Sequence, residues 1–170
     1  MPQENNNYIE IKSENIASGE SPHYDLDKTP FDTVVIRCAD PRFQNAFKKF
    51  IIEELSLKHY APIIIGGGIH PFGSQVEMPT YLASLWGQLS FFINASKLKQ
   101  IIFINHEDCK WYHGHKEHYP EANLSKKGKE DLIAAMDHVH NVFPDVIVRT
   151  FWAGIKGDQI FFTEIKKKQA

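Results

Sequence analysis

The sequence predicts an α/β fold: a mostly parallel central sheet flanked by helices, with a C-terminal hairpin strand and an N-terminal arm. Three observations carry that expectation. Short β-branched runs without polar alternation recur at residues 33–38, 62–65, 100–105 and 146–151, the pattern of strands buried on both faces. Apolar residues at helical spacing fill the intervals between them, and strand–helix alternation of this kind closes into a parallel sheet through right-handed crossovers. Lys156-Gly157-Asp158 is a turn signal, so residues 159–165 are expected to return as a hairpin strand.

The elements follow in order. Residues 1–30 are rich in Asn, Glu, Ser and Lys, with single scattered apolar positions, and form the arm; residues 31–170 form one α/β domain. After the first strand, Pro41 opens a helix expected to reach about Leu57, with Phe43, Phe47, Phe50, Ile51 and Leu55 on one face. Proline suits a first helical turn because its missing N–H would have no partner there. The second strand runs into Gly66-Gly67-Gly68. A longer helix over residues 75–94 buries Met78, Leu82, Leu85, Leu89, Phe92 and Ile93, with Tyr81 and Trp86 flanking. Residues 110–127 are polar and aromatic and read as a loop, and a last helix is expected over 129–143, ended by Pro144.

Composition narrows the function. The chain has 170 residues and a formal charge of −2, without the basic excess of a nucleic-acid-binding protein. The one like-charge run, Lys166-Lys167-Lys168, reads as a solvated end. Met1 to Asn7 are polar with no apolar segment behind them, which predicts no signal peptide, and no stretch is apolar for long enough to span a bilayer. With two cysteines, a disulfide framework is not expected; a reducing, cytoplasmic setting leaves both thiols available.

The chemistry concentrates at two strand ends. The first strand finishes Cys38-Ala39-Asp40-Pro41-Arg42, the third Asn105-His106-Glu107-Asp108-Cys109. Open α/β sheets bind ligands at the carboxyl ends of their strands. Taken singly, each residue has an ordinary role: Cys38 a small buried hydrophobe, His106 a hydrogen-bonded loop residue, Asp40 an N-cap, Arg42 a solvated first-turn cation. Together, two sulfurs and an imidazole match the ligand types and count of a catalytic Zn²⁺ site, which keeps its fourth position open. Two thiolates and a neutral imidazole also cancel the charge of the ion.

The pair Cys-x-Asp-x-Arg after one strand and His-x-x-Cys after another resembles the β-class carbonic anhydrases. The order of arm, parallel α/β core and late hairpin is similar as well, over about residues 31–165. The resemblance implies Zn²⁺ held by Cys38, His106 and Cys109, and a water made nucleophilic by the metal that adds to carbon dioxide to give bicarbonate. It implies that Asp40 orients the nucleophile and that Arg42 orients Asp40. It also implies a closed state, in which Asp40 is fourth ligand to zinc, and a homodimer or higher homo-oligomer, with the N-terminal arm as an embracing segment. Nucleic acid and membrane are not among the expected partners.

This chain departs from the family pattern in three places. Lys110 and Trp111 follow Cys109 where the family usually has Gly, and Lys110 is expected to point to solvent. Gly66-Gly67-Gly68-Ile69-His70 stands where an Arg-Asn-Ala/Gly type sequence is usual. Three glycines permit positive φ and close backbone approach to a small ligand, and no Gly-Lys-Ser/Thr follows to make a P-loop. His70 is expected on a surface loop, with a proton shuttle as the alternative. His113, His115 and His118 are expected as solvated loop histidines, with a second metal site as the alternative. The altered glycine stretch motivates a second substrate class, carbon disulfide or carbonyl sulfide. A non-hydrating zinc protein and a thiol redox protein complete the alternatives; the last is weakened by the lack of a Cys-x-x-Cys unit.

Overall fold

The structure is a computed structural model that describes residues 25–73, 79–115 and 124–168. The expected arm falls almost wholly outside the described residues, as do Met78 and His118. Five strands form one sheet in the order β2-β1-β3-β4-β5: β1 (Thr33–Cys38), β2 (Ala61–Ile65), β3 (Gln100–His106), β4 (Ile147–Lys156) and β5 (Gln159–Glu164). The first four are mutually parallel, and β5 returns antiparallel to β4. The α/β sheet and its terminal hairpin are therefore as the sequence predicts.

β1 is buried at every position, Arg37 included, which explains the lack of polar alternation along it. Alternation across the pleat sends Val34 and Ile36 to one face and Val35 to the other. On the first face lie α3 (Pro79–Ser96), through Leu85 and Leu89, and α5 (Leu124–Val142), through Leu132, Ala135 and Val139. On the second lies helical segment α1 (residues 41–54), with Phe43, Phe47, Phe50 and Ile51 packed on Ile102, Ile104 and Phe151. The remaining helices are short: α2 (His70–Gly73) and α4 (Lys110–Gly114).

Segment α1 starts as a 3₁₀ turn (Pro41–Phe43), continues as α-helix (Gln44–Lys49) and widens into a π turn (Phe50–Glu54). It stops three residues short of the expected Leu57 because Ser56 takes the left-handed conformation, with φ +56°. The Leu57 N–H then donates back to Ile51 O at 3.0 Å, one residue wider than the six-to-one closure that ends many α-helices with a left-handed residue, usually glycine. Three further boundaries differ. The long helix begins at Pro79 within the described residues and runs to Ser96. α5 starts at Leu124 rather than 129, and β4 continues to Lys156 because residues 152–156 pair with β5. Residues 110–114, expected as loop, form α4.

Candidate metal centre

β1 and β3 are parallel neighbours in the register Thr33↔Gln100 through Arg37↔Ile104. Their carboxyl ends therefore lie side by side, and Cys38 and His106 leave the sheet within reach of one another. Cys109 returns to the same point at the start of α4. One donor atom from each of Cys38, His106 and Cys109 lies within 4.8 Å of the others, and all three residues are buried. Among the described residues, no other group of three such ligands comes together.

The donor set fits a zinc ion. The two Sγ atoms are 3.8 Å apart, the separation that two Zn–S bonds of about 2.3 Å subtend at a tetrahedral angle, roughly 3.8 Å. His106 Nδ1 lies 2.8 Å from the Glu107 carbonyl, which fixes the tautomer and turns Nε2 toward the sulfurs. Nε2 is buried without a hydrogen-bond partner in the protein, and a buried polar nitrogen left so is costly unless something else occupies its lone pair. The ring is held by Phe43 and Phe47, at centroid distances of 4.1 and 6.1 Å. The hydrogen bond between the two sulfurs draws the Cys38 thiol down and, with burial, pushes Cys109 up, so the pair favours negative charge on Cys38.

Asp40 and Arg42 stand beside this group rather than in it. Asp40 caps α1: its Oδ1 accepts from the Arg42 backbone N–H at 3.0 Å. The Arg42 guanidinium clasps the same carboxylate, with Nε 3.0 Å from Oδ1 and Nη2 2.7 Å from Oδ2. That clasp holds the Asp40 carboxyl below the usual carboxylate range. Gln44 braces the turn from within the helix, its Nε2 donating to the carbonyls of Cys38 and Asp40 at 3.1 and 2.7 Å. Arg37, buried on β1, donates to Gln44 Oε1 in turn.

Two groups of residues at the site escape the sequence reading. Asp108 accepts from Arg42 through both its carboxylate and its carbonyl; the only sequence signal was an acidic residue between two ligands. Behind the centre, Asn105 Nδ2 donates to Tyr112 OH (3.0 Å), Tyr112 OH donates to Asp131 Oδ2 (2.7 Å), and Lys127 Nζ donates to Asp131 Oδ1 (2.6 Å). Burial, then the charge of Asp131, pushes the Tyr112 hydroxyl pKa well up, so Tyr112 stays a donor. The other end of Asn105 accepts the His106 N–H at 3.0 Å.

His70 belongs to that buried group, and the surface-loop expectation is wrong. It is 1% exposed, with Nδ1 3.7 Å from Asp131 Oδ2 and its ring edge-on to Tyr112. α2 carries it into that buried group at its first residue. Lys110 is exposed, as expected. His113 Nε2 is 3.0 Å from Asp108 Oδ1, and His115 stacks on Trp111 at 4.6 Å; among the described residues neither stands in a second group of metal-type donors. The glycine stretch does not lie open for a ligand. The Trp111 indole covers it: a β-carbon on Gly67, where φ is +75°, would come within 2.6 Å of the ring.

No family model matches the sequence, and no curated protein matches it. Solved structures do. The β-carbonic anhydrase isoform I of the protozoan Trichomonas vaginalis superposes with a TM-score of 0.51 at 16% identity, covering 85% of this chain and 87% of that one. The β-carbonic anhydrase CafD of the fungus Aspergillus fumigatus, solved as a cysteine-to-alanine mutant, gives 0.52 at 9% identity, covering 82% and 91%. This is the β-carbonic anhydrase fold. At such identities the likeness is one of architecture, and the residues at the strand tips must carry the chemistry. The fold accounts for why the ends of β1 and β3 lie side by side. Among the described residues, no helix is long and apolar enough to cross a membrane.

Proposed function

We propose that this chain is a zinc-dependent lyase that interconverts carbon dioxide and bicarbonate, with Cys38, His106 and Cys109 as metal ligands and Asp40 and Arg42 as catalytic residues. One observation carries the reading: two sulfurs 3.8 Å apart face a buried imidazole nitrogen that has no protein partner. When bound there, zinc supplies the Lewis acidity that makes a water nucleophilic near neutral pH.

The chain's own residues do the rest. Asp40 receives three N–H donors, from the Arg42 backbone, Nε and Nη2. Nε also reaches Oδ2, at 3.2 Å; that longer arm is the weakest of the four contacts, and the Oδ2 site it shares can take a hydrogen bond from the attacking water. Arg42 keeps that carboxylate ionised and turned, and so withholds Asp40 from the metal. Trp111 and Leu124 pack on the two cysteines and Tyr112, which gives the centre an apolar wall and excludes bulk water from that side.

The same apolar wall supports a second substrate class, the hydrolysis of carbon disulfide or carbonyl sulfide. Residues 31–170 act in this reading as one domain of a cytoplasmic homodimer or larger homo-oligomer. Ile64 on the outer strand β2 and Phe91 on α3, 44% and 65% exposed, support burial against another copy.

The deciding experiment is stopped-flow hydration of carbon dioxide over about pH 6.5–9, with zinc counted on the same sample. One zinc per chain and a rate rising with pH is the expected result. Full zinc without hydration directs the assay to the sulfur-containing substrates, and failure there leaves a non-hydrating zinc protein. Absence of zinc from protein purified without chelators would overturn the proposal.

A further inference from the structure

We propose that Asp108, which stands between the two donors of the β3 tip, is a positioning residue: its carboxylate and its carbonyl together hold Arg42, and Arg42 sets Asp40 beside the metal centre. The inference rests on the functional reading above for its consequence, but not for its geometry.

Asp108 is one of three non-glycine residues with positive φ among the described residues, at +52°. An L-residue in that region costs about 1–2 kcal/mol, less for Asp and Asn than for most others. The conformation turns two acceptors of one residue onto one guanidinium. Arg42 Nη1 donates to Asp108 Oδ2 at 2.6 Å, and Nη2 donates to the Asp108 carbonyl at 2.7 Å. The second carboxylate oxygen, Oδ1, faces His113 Nε2 at 3.0 Å. With Nε and Nη2 on Asp40, all three guanidinium nitrogens are engaged and the planar fork has one orientation.

Without Asp108 that orientation would be poorly fixed. The Asp40 side chain is 6% exposed, those of Arg42 and Asp108 are 41% and 51% exposed, and the Arg42–Asp40 pair spans two residues of one turn. A pair within one turn ties the guanidinium to that turn alone and moves with it. The contact to Asp108 crosses 66 positions of sequence and ties the β1 tip to the β3 tip. Asp40 is thereby referenced to the strand that carries His106 and Cys109, not only to its own turn.

Asp108→Gly separates the two things Asp108 does. Glycine adopts positive φ without strain and keeps the carbonyl, so a residue present only to make the turn would be replaced at no loss or with a gain in stability. The carboxylate is what disappears. The measurement is solvent exchange of the Arg42 Nη–H protons, followed by nitrogen-15 NMR on the metal-free protein and repeated with zinc bound. Exchange should be about two- to fivefold faster in Asp108→Gly, the equivalent of one lost ion pair between half-exposed groups, while the urea midpoint changes little, because relief of the left-handed Asp offsets the lost pair. Asp108→Asn tolerates the same backbone and keeps a neutral acceptor, so its rate should fall between the two.

An Arg42 exchange rate in Asp108→Gly equal to wild type would overturn the proposal. In zinc-loaded protein the expected companion is a roughly tenfold fall in kcat at full zinc occupancy; an unchanged kcat would break the link from Arg42 to Asp40. If wild-type protein takes up no zinc, the functional reading fails. The metal-free exchange measurement still decides the role of Asp108.

Discussion

Trp111 lies across Gly67 so closely that a β-carbon at Gly67 would meet the indole Cδ1 and Cγ at 2.6 Å. The two places where this sequence departs most from the family pattern, the glycine stretch after β2 and the tryptophan after Cys109, are therefore one feature: a bulky ring and the bare backbone that receives it. Tyr81 stacks on the same indole from α3, at 5.8 Å with planes 6° apart. His115 stacks on it too, and its Nδ1 lies 2.8 Å from the Trp111 carbonyl.

Gly67→Ala is expected to lower stability by more than about 2 kcal/mol, because a left-handed alanine costs about 1 and displacing a packed indole costs more. A double-mutant cycle in urea separates the parts. In a Trp111→Ala background the steric part vanishes, and the cost of Gly67→Ala should shrink to the backbone part alone. Equal costs in the two backgrounds would mean that Trp111 is not what requires glycine there.

The sheet class and the buried faces were legible in the sequence because they depend on periodicity. β1 shows five apolar or β-branched residues in six, and Phe43, Phe47, Phe50 and Ile51 announce one helical face. Cys38, His106 and Cys109 were legible for a related reason: donors at strand ends are brought together by the sheet itself. What stayed hidden depends on tertiary contact. Gly128 reads as a helix breaker, yet it sits within α5 so that Trp152 of β4 can approach, 2.6 Å from where its β-carbon would be; the start of α5 was misplaced accordingly. His70 looks like a loop residue until Asp131, 61 positions later, closes over it. Asp108 reads as a solvated acid because its partner Arg42 is distant in sequence and its backbone conformation leaves no pattern.

Metal binding and catalysis should separate by mutation. Cys109→Ala removes one of three ligands and is expected to leave no stoichiometric zinc after dialysis, since the two donors that remain do not make a closed site. Asp40→Asn touches no ligand, so zinc content should stay at one per chain. Its hydration rate should fall by about 10²-fold or more, because an amide still fills the space but donates where the carboxylate accepted. Metal analysis beside stopped-flow rates reads both. Full zinc in Cys109→Ala would remove the ligand assignment, and wild-type rates in Asp40→Asn would remove the role given to Asp40.

The acid limit of folding should be set by carboxylates that Lys and Arg hold below their usual range. Hydrogen bonds from Lys99 do this for Asp32, from Arg42 for both Asp40 and Asp108, and from Arg149 for Glu164. A carboxyl group whose pKa is lower in the folded chain than in the unfolded one binds its proton first in the unfolded chain. Its contribution to stability is complete above about pH 5 and disappears as pH falls through the folded value, below about 4. The melting temperature of metal-free protein should therefore be flat from neutrality to about pH 5 and drop below it. Arg42 serves two of the four carboxylates, so Arg42→Ala should lower the melting temperature at pH 7 and have a progressively smaller effect in acid, as Asp40 and Asp108 take up protons. Melting curves of the two proteins across that range give the difference directly. A constant gap from pH 7 to pH 3 would show that Arg42 stabilises the chain by packing on Phe43, which its guanidinium overlies at 5.8 Å, and not through the carboxylates it joins.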